Sequence, residues 1–248
     1  MPRIRIEVCT DSVDSAKAAE AGGADRIELC QNLFEGGTTP SEGIIRKARQ
    51  VVGIPLFVII RPRGGDFLHN QNEFDVMKHD IAAVKNLGTD GVVLGLLRSN
   101  GDVDKRRTAQ LIKLARPLHV TFHRAFDMTR DPGKALEDII DLGCERLLTS
   151  GQEISVLEGA DLIRHLLRQA GRRLIIMPGG GLTESNFVRV RKQTGAKEFH
   201  VTGNRTIKSP MVHRNQDCFM GKELRPPEYQ WTATDAGRIS AYRQMADE

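Results

Sequence analysis

Apolar residues fall into two alternating rhythms along this chain. Short, nearly continuous apolar runs at residues 4–9, 25–30, 55–61, 90–95, 117–122, 145–149, 173–177 and 197–201 read as buried strands of a parallel sheet. Between them lie longer stretches with apolar residues at steps of three and four, the spacing of one buried helix face. Phe74, Met77, Ile81, Val84 and Leu87 form one such stripe; Leu157, Ala160, Ile163 and Leu167 form another. Ser41, Asp104 and Thr183 read as N-caps. Pro132 at a helix start and Gly143 past its end follow the proline-first, glycine-last asymmetry.

Eight strand–helix units at a regular spacing of about 25 residues predict an α/β fold, a (β/α)8 TIM barrel in one domain over residues 1–248. An open doubly wound sheet would show the same alternation; the number and regularity of the units favour the barrel. The rhythm stops after Gly203. Residues 204–233 are polar and broken by Pro and Gly, and they read as a long loop over the barrel mouth. A last helix at 234–245 completes the ring, and Trp231 is expected to pack this tail onto the body.

Composition removes several function classes. A net charge of +4 and an aromatic content of 5% lack the basic stripe and stacking platforms of a nucleic-acid binder. No apolar run approaches the roughly 20 residues of a membrane helix, and the amino terminus enters a strand with no signal-peptide core. Cys9, Cys30, Cys144 and Cys218 are scattered, with no CxxC pair, which is the pattern of free thiols in a cytosolic protein.

The chemistry gathers at strand ends. The third strand breaks into Arg61-Pro62-Arg63-Gly64-Gly65-Asp66, and the fifth into His123-Arg124-Ala125-Phe126-Asp127. In a barrel, ligands bind at the carboxyl ends of the strands, so these groups share one face. Strands one and two close on matching units, Ile6-Glu7-Val8-Cys9 and Ile27-Glu28-Leu29-Cys30. Side chains alternate along a strand, so Glu7 shares a face with Cys9 and Glu28 with Cys30. Neighbouring strands lie about 4.8 Å apart, close enough for the thiols to meet.

Three chemistries suit this rim. Two thiolates select Cu(I) or Zn²⁺, with His123 and Met128 as weaker donors, against the plainer role of small core residues. Arg61, Arg63 and Arg124, with the Gly180 and Gly181 turn ahead of a helix, suit an anion. The plainer reading pairs those arginines with Glu7, Glu28 and Asp66. Glu7, Glu28 and His123 also suit acid–base catalysis, against a structural polar network. Thr149 and Ser150 reach the same face, whereas His69, His79, His119, His165 and His213 read as surface or core histidines.

Taken together, these segments resemble the CutC family, named for a proposed role in copper homeostasis. The matching text includes Gly23-Ala24-Asp25-Arg26-Ile27-Glu28-Leu29-Cys30, Glu35-Gly36-Gly37-Thr38-Thr39-Pro40-Ser41 and Ile60-Arg61-Pro62-Arg63-Gly64-Gly65-Asp66-Phe67. It continues through Val120-Thr121-Phe122-His123-Arg124-Ala125-Phe126-Asp127, Leu147-Leu148-Thr149-Ser150-Gly151 and Met177-Pro178-Gly179-Gly180-Gly181. The likeness runs over residues 4–215 and is nearer to animal-type members. The sequence departs at Thr202-Gly203-Asn204-Arg205, where relatives carry small Ser or Ala residues.

The resemblance implies a barrel, a cytoplasmic homo-oligomer (dimer or tetramer) and a Cu(I) site at Cys9 and Cys30. The resulting expectation is a copper homeostasis protein that binds Cu(I) through strand-end cysteines, with no organic cofactor, nucleic acid or membrane as partner. The alternative is an enzyme acting on a small anionic metabolite, phosphorylated or carboxylated.

Overall fold

Strands β1 (Arg5–Thr10), β2 (Arg26–Leu29), β3 (Leu56–Ile59), β4 (Gly91–Leu94), β5 (His119–Phe122), β6 (Arg146–Thr149), β7 (Ile175–Pro178) and β8 (Glu198–Val201) pair in parallel. Their order is β7-β6-β5-β4-β3-β2-β1-β8, and a parallel bridge between Gly179 and His200 joins the two ends into a barrel. This computed structural model describes residues 3–215, 217–218 and 229–248. Among them, no helix is long and apolar enough to cross a membrane.

Eight helices alternate with the strands: α1 (Val13–Ala21), α2 (Glu42–Val51), α3 (Gln71–Asn86), α4 (Lys105–Ala115), α5 (Pro132–Asp141), α6 (Ala160–Ala170), α7 (Phe187–Thr194) and α8 (Ala236–Asp247). Local chemistry sets most of their starts. Ser41 and Asp104 accept from the third backbone N–H of their helices, and Asn70 with Glu73 forms a capping box. Two helices begin later than the sequence pattern predicts. The Val156 N–H bonds to the Gly180 carbonyl, which holds residues 155–159 as a loop against the next strand end. Asn186, not Thr183, is the first cap of α7: its side chain accepts from the Thr183 N–H and donates to the Gly181 carbonyl.

The tail differs from a plain loop. Asn204–Lys208 (β9) and Gln230–Thr234 (β10) form an antiparallel ribbon, which the Thr234 N–H fastens to the Ser15 hydroxyl. Residues 216 and 219–228 of the stretch read as a loop lie outside the described residues. Trp231 sits opposite Ile207 in the ribbon and stays 49% exposed, so it does not bury itself against the body.

Outward-facing strand residues such as Ile6, Val8, Ile27 and Leu29 join helix residues such as Ala16, Ala19 and Ile45 in the main apolar core. The inside of the barrel is unusual. Barrel interiors are commonly layered with Val, Ile and Leu. Here the amino ends of β2, β6 and β8 turn buried Arg26, Arg146 and Glu198 inward. Glu198 Oε2 accepts from Arg26 Nη2 at 2.8 Å and from Arg146 Nε at 2.9 Å. The Phe57 ring lies 5.0 Å from the Arg26 guanidinium and 5.6 Å from that of Arg146. A charged triad on an aromatic plate thus closes the bottom of the barrel.

Candidate functional site

From that triad a chain of buried polar groups climbs to the mouth. Arg26 Nε donates to Glu7, whose other oxygen accepts from His200 Nδ1 at 2.7 Å. The second ring nitrogen of His200 lies 3.6 Å from Glu28 Oε2. Above it, Cys9 Sγ and Cys30 Sγ stand 3.6 Å apart, both buried and both free. Register explains the meeting: Cys9 pairs with Glu28 across β1 and β2, so Cys30 falls just past the end of the ladder, beside Cys9. Gly37 closes over the pair at φ +93°, and a Cβ there would come within 3.3 Å of Cys30 Sγ.

The electrostatics follow from this stacking. Burial pushes the Glu7 carboxyl up, but Arg26 and His200 outweigh it and bring it down to about 2. Burial pushes the His200 imidazole down, and Cys9, Glu7 and Glu28 reverse this and carry it well above its ordinary value. Glu28 is pushed well above the usual carboxylate range by burial and by the charge on Cys9. Within the thiol pair, the hydrogen bond from Cys30 and the contact with His200 overcome burial and hold Cys9 at about 6. Cys30 is driven up by the same hydrogen bond and by burial. The shared proton of the pair therefore favours Cys30, and Cys9 is the sulfur that ionises first.

A pocket of about 500 Å³ opens above this chain. Cys9, Glu28 and His200 form its floor, and Arg61, His123, Arg124, Met128, Gly180 and Gly181 contribute to its walls. Most of the residues singled out from the sequence therefore meet at one rim. Arg63 does not line it; that side chain is tied to Glu73 and Asp66 instead. Met128 is 67% exposed. Glu7 lies beneath the pocket lining, paired with Arg26 and not with a rim arginine. Arg124 is held by Asp127 at 2.8 Å and by the Ser150 hydroxyl at 2.7 Å, and Asp127 also accepts from the Ser150 and Gln152 amides. His69 is buried, His119 stacks near Phe57, and His79, His165 and His213 are exposed.

His123 is fixed by its surroundings. Its Nδ1 accepts from the Ala125 N–H at 3.1 Å, so a neutral ring carries its proton on Nε2. Burial and the nearby Arg61 charge bring its pKa down to about 3. The unfolded ring binds a proton below about 6.5 and the folded ring does not until about 3, so this residue costs stability as pH falls through that window. Glu28, raised in the fold, has the opposite sign above its unfolded value, so the comparison must be a difference. Relative to His123→Asn, wild type is expected to lose up to about 1.4 kcal/mol per pH unit between 6.5 and 3. Urea midpoints of both proteins across this range read the effect, and parallel pH profiles would contradict it.

His200, Arg26, Arg146 and Glu198 were not singled out from the sequence. The signal was there: Glu198 and His200 alternate on β8 as Glu7 and Cys9 do on β1, placing both inside the ring. Nothing local in the sequence shows that residues 7 and 200, at opposite ends of the chain, share a hydrogen bond.

Comparison with known proteins places the chain in a family. The sequence profile of the CutC family matches residues 4–205. The human "Copper homeostasis protein cutC homolog" is 50% identical over 241 residues, 97% of this chain and 88% of that protein. A CutC family protein of Chromobacterium violaceum is 49% identical over 243 residues, 98% of each chain. The animal and bacterial relatives thus stand at nearly equal identity. A crystal structure of CutC from Streptococcus agalactiae superposes with a TM-score of 0.77 at 36% identity, covering 80% of this chain and 98% of that one. By sequence over nearly its whole length, and by fold, the chain belongs to the CutC family.

Proposed function

We propose that this is a copper homeostasis protein that takes Cu(I) as its cargo, bound between Cys9 and Cys30. The observation that carries the reading is the thiol pair itself, two free buried sulfurs 3.6 Å apart, of which Cys9 is held the more readily ionised. Thiolates are soft donors and favour Cu(I) and Zn²⁺ over hard cations. Cys9, Glu28 and Cys30 offer three donor atoms within 4.8 Å of one another. Burial and the charge on Cys9 both disfavour an ionised Glu28, which makes its carboxyl the weakest of these three donors. Two sulfurs without an anionic oxygen suit a low-coordinate monovalent ion better than Zn²⁺, which commonly takes four ligands. Ile59 and Leu33 pack around the thiols and keep that face apolar.

Four free cysteines support a reducing compartment, hence a cytoplasmic protein. The human relative is named for copper homeostasis; the homo-oligomer, dimer or tetramer, is part of this proposal on the strength of the sequence resemblance alone.

An anaerobic competition titration of the reduced protein with a Cu(I) chelator tests the proposal. The wild type is expected to take up one equivalent of Cu(I) and Cys9→Ser/Cys30→Ser to lose it. Equal affinity in the two proteins would remove these cysteines as ligands. Parallel titration with Zn²⁺ should show the weaker uptake.

A further inference from the structure

The pocket over the thiols is far larger than an ion requires, and two buried side chains of its wall each keep one nitrogen without a partner. Arg61 is 4% exposed, and its guanidinium donates only to backbone carbonyls: Nη1 to Glu35 and Gly37, Nη2 to Gly65. Its Nε has no partner, and no carboxylate among the described residues is in ion-pair contact with it. His123, also 4% exposed, has its Nε2 without a partner. Buried polar groups are nearly always hydrogen-bonded, and an unpaired buried cation costs several kcal/mol, so both call for an explanation.

The Arg61 guanidinium lies 4.9 Å from the centre of the Phe67 ring, and the His123 ring lies 5.0 Å from it, so both flank one aromatic plate of the pocket wall. Each offers a single N–H. Across the pocket Arg124 approaches Gly180, where φ is +104° and a Cβ would meet Nη1 at 3.2 Å. Leu33, Ile59, Leu148 and Leu182 supply apolar lining between these points.

We propose that this wall is a binding site for a small organic carboxylate, its two oxygens taken by Arg61 Nε and His123 Nε2 and its apolar body lying toward Leu148 and Leu182. This site is separate from the metal reading and does not depend on it. Charge balance selects the class. Arg124 is already paired with Asp127 and Arg63 with Glu73 and Asp66, which leaves Arg61 as the rim arginine in no ion-pair contact, Glu35 acting on it only at longer range. One surplus positive charge and two single donors match a monoanion with two oxygens. A phosphate dianion would bring a second negative charge beside Asp127 and Cys9 and leave oxygens without donors.

The test uses the reduced, metal-free full-length protein, titrated calorimetrically with butyrate and benzoate. Butyramide and benzamide serve as uncharged controls, and inorganic phosphate as the competing anion. Saturable binding of the carboxylates, absence of binding by the amides and weaker binding of phosphate are expected. His123→Asn keeps an acceptor for the Ala125 N–H and deletes the Nε2 donor; it should weaken carboxylate binding about tenfold, the usual worth of a charge-assisted hydrogen bond. Arg61→Lys keeps the charge but loses Nε, and a similar loss is expected. If no carboxylate saturates the wild type, if phosphate binds more tightly, or if both variants bind as wild type does, the proposal is overturned. His123→Asn decides the matter even if Arg61→Lys fails to fold, because the imidazole makes fewer structural contacts than the guanidinium.

Discussion

Replacing Glu198 with alanine is expected to remove about 3–5 kcal/mol of folding stability, the cost of breaking a buried ion pair by deleting one partner. The triad at the bottom of the barrel is the reason. Glu198 Oε2 is the shared acceptor for Arg26 and Arg146, and Arg146 already has one guanidinium nitrogen, Nη1, without a partner. Without the carboxylate, Arg146 keeps only the face of Phe57 and Arg26 keeps Glu7 and Phe57. A domain's whole stability is about 5–15 kcal/mol, so the variant should populate unfolded chains under mild conditions. Urea unfolding with an unchanged m-value gives the measurement. Adding Arg146→Met to Glu198→Ala should recover part of the loss, because the second change removes a stranded charge and fills its volume. A loss below about 1 kcal/mol for Glu198→Ala would show that water or rearrangement satisfies the arginines.

The fold was largely legible because its determinants are periodic. Eight apolar runs and their helical partners each announce themselves within a dozen residues, and all eight strands lie where the pattern places them to within about two residues at each end. The exceptions are places where a tertiary contact overrides a local signal. Thr183 has the chemistry of a cap, but α7 starts only after Asn186, whose side chain is spent on the Thr183 N–H and the Gly181 carbonyl past the end of β7 and leaves the helix without a side-chain cap. The polar stretch after Gly203 hides a two-stranded ribbon, since Asn204–Lys208 and Gln230–Thr234 carry no run long enough to read as strands.

The site was half legible for a related reason. Cys9, Cys30, Arg61 and His123 stand at the carboxyl ends of strands, where the barrel topology alone brings them together. His200 sits on a strand end of the same kind, yet its significance depends on closure of the ring, which sets β8 beside β1. The inward arginines were passed over because a charged residue at the start of a strand resembles a surface boundary. Only the closed barrel shows that Arg26 and Arg146 are buried inside it.

Replacing His200 with glutamine is expected to raise the Cys9 pKa above about 6, while the hydrogen bond from Cys30, the largest lowering cause, still holds it below the 9.0 of an ordinary thiol. The imidazole sits between Glu7 and Glu28 as a buried cation and is one of the contacts that keep Cys9 ionised. At fixed pH the ratio of thiolate to thiol falls roughly tenfold for every rise of one in the pKa, so the ionised share of Cys9 at pH 7 should fall. Ultraviolet absorbance of the thiolate during a pH titration reads the change directly, with Cys9→Ser to assign the step. Metal binding to a thiol must expel its proton, so Cu(I) affinity in His200→Gln should fall at pH 7 and recover as pH rises. That recovery separates loss of charge from loss of structure: a collapsed site would bind weakly at every pH. An ionisation step unmoved from about 6 would mean that Cys30 alone stabilises the thiolate, and that His200 serves only to bridge the two glutamates.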